Sequence, residues 1–399
     1  MSPAPTTARR ALEPIAQPGR EPGEPSRPAA GVGLCLSGGG YRATLFHLGT
    51  LWRLNELGML HSLSRLSSVS GGSILSAYLG LKWKSLAFDR HGVAQAFGTE
   101  IVEPIRAFAE HSIDVRSIFG GLARRGSIAQ KVVARYRKFL FGDATLQDLP
   151  NSPRFVINAT CLKTGVLWRF SKPYMRNYLL GRIDNPDLPL AVCVAASSAF
   201  PPVLSPLRID LDPARFVPEK KRKGIPFDPA DPKYARDAMV TDGGVYDNLG
   251  LETVWKRYDT VLVSDAGGKP DFEAGPHRDW ARHTYRVLLL INEQVHSLRV
   301  RQLIDSYEAK LRKGAYWGIR TDIADYDAPG ALCCPHEDTM ELAATPTRLK
   351  KLTAKRQKRL INWGYAVCDA AIRTYYKKNL PEPTAFPYPA EGVGDTKCP

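Results

Sequence analysis

Nothing in this sequence is long and apolar enough to span a bilayer: it holds no run of about 18 apolar residues. Any contact with a membrane is therefore made from one side. The seven cysteines include no C-x-x-C pair, and their number is odd. That argues against a zinc site or a disulfide framework and predicts free thiols in a reducing compartment. Acidic residues are short: 40 Asp and Glu face 55 Lys and Arg, a formal charge of +15. Such an excess favours an anionic partner, either nucleic acid or a surface of acidic lipids. Residues 1–30 carry arginines and many prolines but no apolar core. They read as a disordered tail and not as a secretory signal.

Over the rest of the chain, hydrophobic residues (44% overall) suffice for a sizeable core in one large or two ordinary domains. Val32 to Leu36 is a short apolar strand, followed by Ser37-Gly38-Gly39-Gly40-Tyr41-Arg42-Ala43 and a helical pattern through Leu45, Leu48 and Trp52. A triple glycine between strand and helix makes a nest of main-chain N–H groups aimed at one anion, aided by the helix dipole. Two uses stay open at this point: a phosphate, or the oxyanion of acyl transfer. A Walker loop needs Lys-Ser/Thr after its turn, and the spacing is not G-x-G-x-x-G, so both nucleotide motifs fit poorly. About thirty residues on comes Leu66-Ser67-Ser68-Val69-Ser70-Gly71-Gly72-Ser73. An apolar run, a serine among small residues and a new helix read as a nucleophile elbow, with Gly71 and Gly72 allowing the sharp turn. The order β-α-β-α demands a parallel sheet, and both glycine turns lie at carboxyl ends of strands, where such sheets build their sites.

Further on, Arg154–Thr160 and Val166–Phe170 read as two adjacent strands, and Leu190–Phe200 as a helix of small residues stopped by Pro201-Pro202. Ala238 to Asp242 reads as a strand ending in Asp242-Gly243-Gly244, the same type of turn as at Ser70. Ser70 needs a base within hydrogen-bond reach, and an aspartate in a desolvated site can serve. Gly38, Gly39 and Gly40 can supply N–H donors to the developing oxyanion. No histidine sits in a comparable turn, although His283 and His296 leave a Ser–Asp–His arrangement open.

Four blocks occur in order: Gly-Gly-Gly-Tyr-Arg, Ser-Val-Ser-Gly-Gly, Ala-Ala-Ser-Ser-Ala-Phe-Pro and Asp-Gly-Gly-Val-Tyr-Asp-Asn-Leu-Gly. Together they resemble the patatin-like phospholipases, over roughly Gly31 to Asp265. The resemblance implies a three-layer α/β/α fold with a central, mostly parallel sheet, related to cytosolic phospholipase A2. It implies a lipid acyl hydrolase with a Ser–Asp dyad and no cofactor or metal. Carried onto this chain, Ser70 is the nucleophile and Asp242 the base; Gly38, Gly39, Gly40 and Arg42 form the oxyanion loop. Gly71, Gly72, Gly243 and Gly244 support the two turns. This chain departs from the family in having Ser37, Ala43 and Ser68 at positions where Asp, Gly and Gly are usual. The implied partners are a lipid or phospholipid substrate and, transiently, an anionic membrane, with no nucleic acid; the implied location is cytoplasmic, at most peripheral to a membrane. A catalytically silent lipid- or protein-binding module on the same fold is the alternative.

The expected domain spans residues 31–380, with core motifs over 31–265, a helical extension over 266–380 and a Pro-rich tail over 381–399. Five finer expectations concern its parts. Phe97–Phe141 forms an amphipathic helical cap or a core layer. Lys220-Lys221-Arg222-Lys223 lies in an exposed loop. Tyr285–Ile291 is a buried strand, and a helix runs from Asn292 to Lys313. From Thr347 a basic helix faces solvent or an anionic surface. Cys333, Cys334, His336, Glu337 and Asp338 lack a second ligand pair, which argues against a metal.

Overall fold

The computed structural model describes residues 28–113, 125–201, 204–220, 226–270, 272–276 and 278–396. Strand β1 (Ala29–Leu36) leads into helix α1 (Gly40–Glu56), β2 (Arg65–Ser68) and α2 (Gly71–Lys82). After α3 (Glu103–Ala109) and α4 (Arg125–Tyr136) come β3 (Arg154–Cys161), β4 (Leu167–Ser171), β5 (Tyr174–Asn177) and β6 (Gly181–Asp184). Then follow α5 (Leu190–Ser197), β7 (Leu207–Asp210), β8 (Phe216–Pro218), β9 (Asp237–Asp242), the single turn α6 (Gly244–Asp247) and β10 (Tyr258–Asp265). Helix α7 (Trp280–Glu308), β11 (Lys313–Gly318) and α8 (Ala354–Tyr375) complete the elements that matter here.

All the strands join one sheet, in the order β11-β10-β1-β2-β3-β4-β5-β6-β8, with β9 on β3 and β7 on β9. The run β11-β10-β1-β2-β3 is parallel throughout. β1 and β10 are buried on both faces over residues 34–36 and 261–263, which is why those stretches read as continuous apolar runs and not as alternation. Beyond β3 every pairing is antiparallel. Helices cover both faces, giving the α/β architecture that the β-α-β-α order implies.

Helix α8 corrects one expectation. Lys355, Arg356, Lys358 and Arg359 lie in its first turns, where they pair with Asp395, Glu341 and Glu391, and Arg373 in its last turn pairs with Asp369. From Leu360 to Ile372 the helix is buried, packed along α1. Two glycines permit that approach: a Cβ on Gly364 would collide with the Phe46 carbonyl, and one on Gly49 with the Ile361 carbonyl. The helix therefore faces the core, and its clustered charges form one end of it, not a membrane-facing side. Residues 381–396 hold no helix or strand but lie against it, with Asn362 Nδ2 donating to the carbonyls of Tyr388 (2.9 Å) and Gly392 (2.7 Å).

The expected strand Tyr285–Ile291 is instead part of α7, which begins at Trp280 and ends at Glu308. An apolar run as short as residues 287–291 carries no period of its own, and here the flanking Asp279 cap, accepting from the Arg282 N–H, starts a helix. Nor is the run buried: Leu288 and Ile291 are each 55% exposed, on the same side as Trp280 and Leu298. The free-thiol reading holds for Cys35, Cys161, Cys193, Cys334 and Cys368. Cys333 departs from it, being disulfide-bonded; adjacency to Cys334 gave no spacing signal for a pair. Ile105 and Phe108 of α3, with Tyr136 of α4, join the main core as a helical layer. Ile118, Phe119 and Leu122, like residues 1–27 and Lys221-Arg222-Lys223, lie outside the described residues.

Candidate active site

Strand β3 brings the two candidate residues together. Its first half pairs with β2, Ser68 standing opposite Ile157. Its second half pairs with β9, Asp242 standing opposite Ala159. β2 runs parallel to β3 and β9 antiparallel, so the two strands meet end to end along one edge of β3. Ile157 and Ala159 are two residues apart, about 7 Å of strand. The turns that follow β2 and β9 therefore face each other, and these turns hold Ser70 and Asp242. The sequence left the direction of the Asp242 strand open; the antiparallel approach is what makes the meeting possible.

Ser70 occupies φ +50°, ψ −116°, a conformation that non-glycine residues rarely adopt. It is half-buried, at the start of α2. Its N–H donates to Ser197 Oγ at 2.9 Å, and Ser197 Oγ donates in turn to the Asn158 carbonyl at 2.7 Å. Asp242 is 2% exposed. Burial pushes its carboxyl up to about 7, against hydrogen bonds from the Gly244 N–H, at 2.7 Å, and from the Ser70 side chain. A carboxyl titrating there is half ionised at neutral pH, the condition that suits a general base.

Segment α5 ties the two turns to each other. Besides Ser197 Oγ holding Ser70, the Ser197 carbonyl accepts from the Gly243 N–H at 3.2 Å and the Ala199 carbonyl from the Asp242 N–H at 3.0 Å. Sequence reasoning noted the Ala-Ala-Ser-Ser-Ala-Phe block as part of a small-residue helix and as a family mark, and missed Ser197 and Asn158 as site residues. Small polar residues in an alanine-rich helix carry no period that would have flagged them.

The glycine loop stands beside Ser70: a Cβ on Gly38 would lie 3.2 Å from Ser70 Cβ. Gly39 and Gly40 take φ +149° and +60°, which open the turn into α1. The Gly38 N–H donates to the Asn248 carbonyl at 3.1 Å. The N–H groups of Gly39 and Gly40 donate to no acceptor among the described residues, so they are the loop's available donors. Gly71 packs against Gly40, Gly72 against the carbonyls of Leu36 and Ser37, and Gly243 against Asn158.

Arg42 points elsewhere. Its guanidinium donates to the carbonyls of Ala266 (2.9 Å) and Thr345 (2.6 Å), which ties α1 to the loop after β10 and to the C-terminal extension. This corrects its place in the oxyanion loop: it braces the loop from behind. The histidines are likewise apart. His283 is exposed on α7, and His296 donates through Nε2 to Asp265 at 2.8 Å. His47 is fully buried between Ser264 Oγ (2.8 Å) and the Ser37 carbonyl (3.0 Å), and burial lowers it to about 4, so it stays neutral.

No curated protein matches the sequence. Among solved structures, human GIVD cytosolic phospholipase A2 is similar, with a TM-score of 0.50 and 12% identity over 86% of this chain and 61% of that one. The same human protein in complex with methyl gamma-linolenyl fluorophosphonate gives 0.49 and 16%, over 86% of this chain and 57% of that one. This chain thus spans less than two thirds of that protein, and at 12% identity the likeness is one of fold. Residues 34–255, more than half of the sequence, match the family model Patatin-like phospholipase. With that match laid over both glycine turns and the strand that joins them, the chain belongs to the patatin-like phospholipase family.

Proposed function

We propose that this chain hydrolyses acyl esters of lipids through an acyl-serine intermediate. Ser70 Oγ attacks the ester carbonyl while Asp242 takes its proton. The oxyanion is held by the N–H groups of Gly39 and Gly40 at the positive end of α1. Asp242 returns the proton to the departing alcohol. Water, deprotonated by the same carboxylate, then releases the fatty acid. The observation that carries this reading is the end-to-end meeting of β2 and β9 on β3, which sets a strained serine against a buried carboxylate. The chemistry needs no histidine, because Asp242 is basic enough to act directly.

The test uses a fluorophosphonate probe and a panel of phospholipids, lysophospholipids and neutral glycerides, with products identified by mass. The wild-type protein is expected to be labelled at Ser70 and to release fatty acid. Ser70→Ala and Asp242→Asn are each expected to lose at least a thousandfold in kcat while keeping the native circular dichroism. Retained turnover in either folded variant refutes the dyad, and an unlabelled wild-type serine favours the silent binding module.

A further inference from the structure

A second feature lies behind the glycine loop. A cavity of about 770 Å³ is lined by Gly267 and Gly268 after β10, by Lys269, by His296 and Arg301 of α7, and by Arg320 beyond β11. It shares a wall with the candidate active site. A Cβ on Gly39 would stand 2.7 Å from the Ala266 carbonyl, and one on Gly268 would stand 3.0 Å from Arg42 Nη2.

Of the three carboxylates around this cavity, Asp265 is fully engaged. Asp265 accepts from His296 Nε2 and the Tyr316 hydroxyl, each at 2.8 Å, and from the Gly267 N–H at 2.9 Å. Asp322 accepts from the Ala324 N–H at 3.0 Å and faces His336 at 3.7 Å; Asp325 is exposed. The cations are not engaged. Among the described residues Arg301 and Arg320 meet no carboxylate, and Lys269 has only Glu293, at 3.9 Å. Two buried donors, Arg320 Nε and His296 Nδ1, find no acceptor there. Burial opposes the charged form of His296, but Asp265 outweighs it and lifts the imidazole to about 9, so the ring carries a proton on both nitrogens. Burial first, and then the charge of Arg320, push Arg42 down to about 10. The wall therefore holds guanidinium groups without a carboxylate partner beside buried donors without an acceptor.

We propose that this cavity binds a phosphate-bearing anion, held by Arg301, Arg320 and His296, with Lys269 at its edge. Guanidinium forks match the oxygens of phosphate in pairs, and an anion there satisfies the orphan donors and relieves the repulsion between Arg42 and Arg320. Two sources share this chemistry. One is the headgroup phosphate of a lipid whose ester lies at Ser70, an assignment that rests on the hydrolase reading. The other is a soluble phosphorylated molecule acting on the glycine loop through the Ala266–Gly268 segment.

The first measurement does not depend on turnover. The Ser70→Ala protein is titrated with inorganic phosphate at constant ionic strength, followed by phosphorus NMR, with chloride as the control. Saturable binding is expected, weakened about tenfold or more by Arg301→Gln and by Arg320→Gln. Arg301 is exposed, so its variant keeps the fold even if that of Arg320 does not. A second measurement, on active protein, compares KM for phosphatidylglycerol with KM for an uncharged diacylglycerol in the same micelles. A rise of fivefold or more in the ratio of the two for Arg301→Gln assigns the site to the lipid headgroup. An effect of phosphate on both substrates alike, lost in Arg301→Gln, assigns it to a soluble ligand. No saturable phosphate binding, or binding equal in wild type and Arg301→Gln, overturns the proposal and leaves the hydrolase reading intact. Binding in a protein without turnover does the reverse.

Discussion

At the scale of single residues, Ser70 and Asp242 are both held in states that their surroundings impose. Ser70 keeps a positive φ that costs of order 1–3 kcal/mol, and glycine adopts that φ without strain. Ser70→Gly is therefore expected to be more stable than Ser70→Ala, by about 1 kcal/mol, as read from denaturant midpoints. Asp242 carries a pKa near 7 in the fold against an ordinary value of 3.8. In the proposed mechanism its deprotonated form is the base, so kcat/KM is expected to rise with pH through about 7 and then level off. Stability runs the other way. An acid whose pKa is raised by folding favours the fold fully below about 3.8, and that contribution is lost as pH rises through about 7. Asp242→Asn is thus expected to be inactive yet more stable than wild type at pH 8, by at most about 4 kcal/mol, and to show no such gain at pH 4. Both residues were legible in the sequence because each sits in a glycine-bearing turn at a strand end. Arg42 was misplaced because adjacency to the triple glycine says nothing about where a long side chain reaches.

At the scale of elements, the site depends on a short helix of small residues. Ser197 bonds the Ser70 N–H through its hydroxyl and the Gly243 N–H through its carbonyl, so α5 acts as a clamp across both turns. Ser197 touches no reacting atom and is a positioning residue. Ser197→Ala is expected to lower kcat about tenfold with KM little changed, and Ser197→Thr, which keeps the hydroxyl, to restore part of the loss. A purely structural role would lower the midpoint of unfolding without that split. The strands and helices of the first hundred residues were readable from their period and their glycines. Helix α7 was not, because the run over residues 287–291 is apolar without alternation, and periodicity cannot separate strand from helix over so few residues. Helix α8 was misread because its clustered charges precede a mostly apolar stretch whose polar members, Asn362 and Asp369, are paired inside the fold.

At the scale of the whole molecule, the C-terminal extension is part of the core and not an appendage. Helix α8 lies on α1, the helix that carries the glycine loop, through Gly49 and Gly364. Gly364→Ala forces a methyl group into the Phe46 carbonyl and is expected to cost about 1–3 kcal/mol of stability, measured by urea unfolding. Activity below the transition should fall as well, since α1 can move only with its loop. Nothing in the sequence spacing announced this contact, for two isolated glycines over three hundred positions apart share no local pattern. The meeting of β2 and β9 has a consequence in time. A ribosome delivers the proposed nucleophile early and its proposed base much later, so on the dyad reading every nascent chain passes a long interval with an inert serine. On the proposed mechanism, catalytic competence waits until the last piece of that edge is in place, and the order of synthesis itself serves as a safety catch.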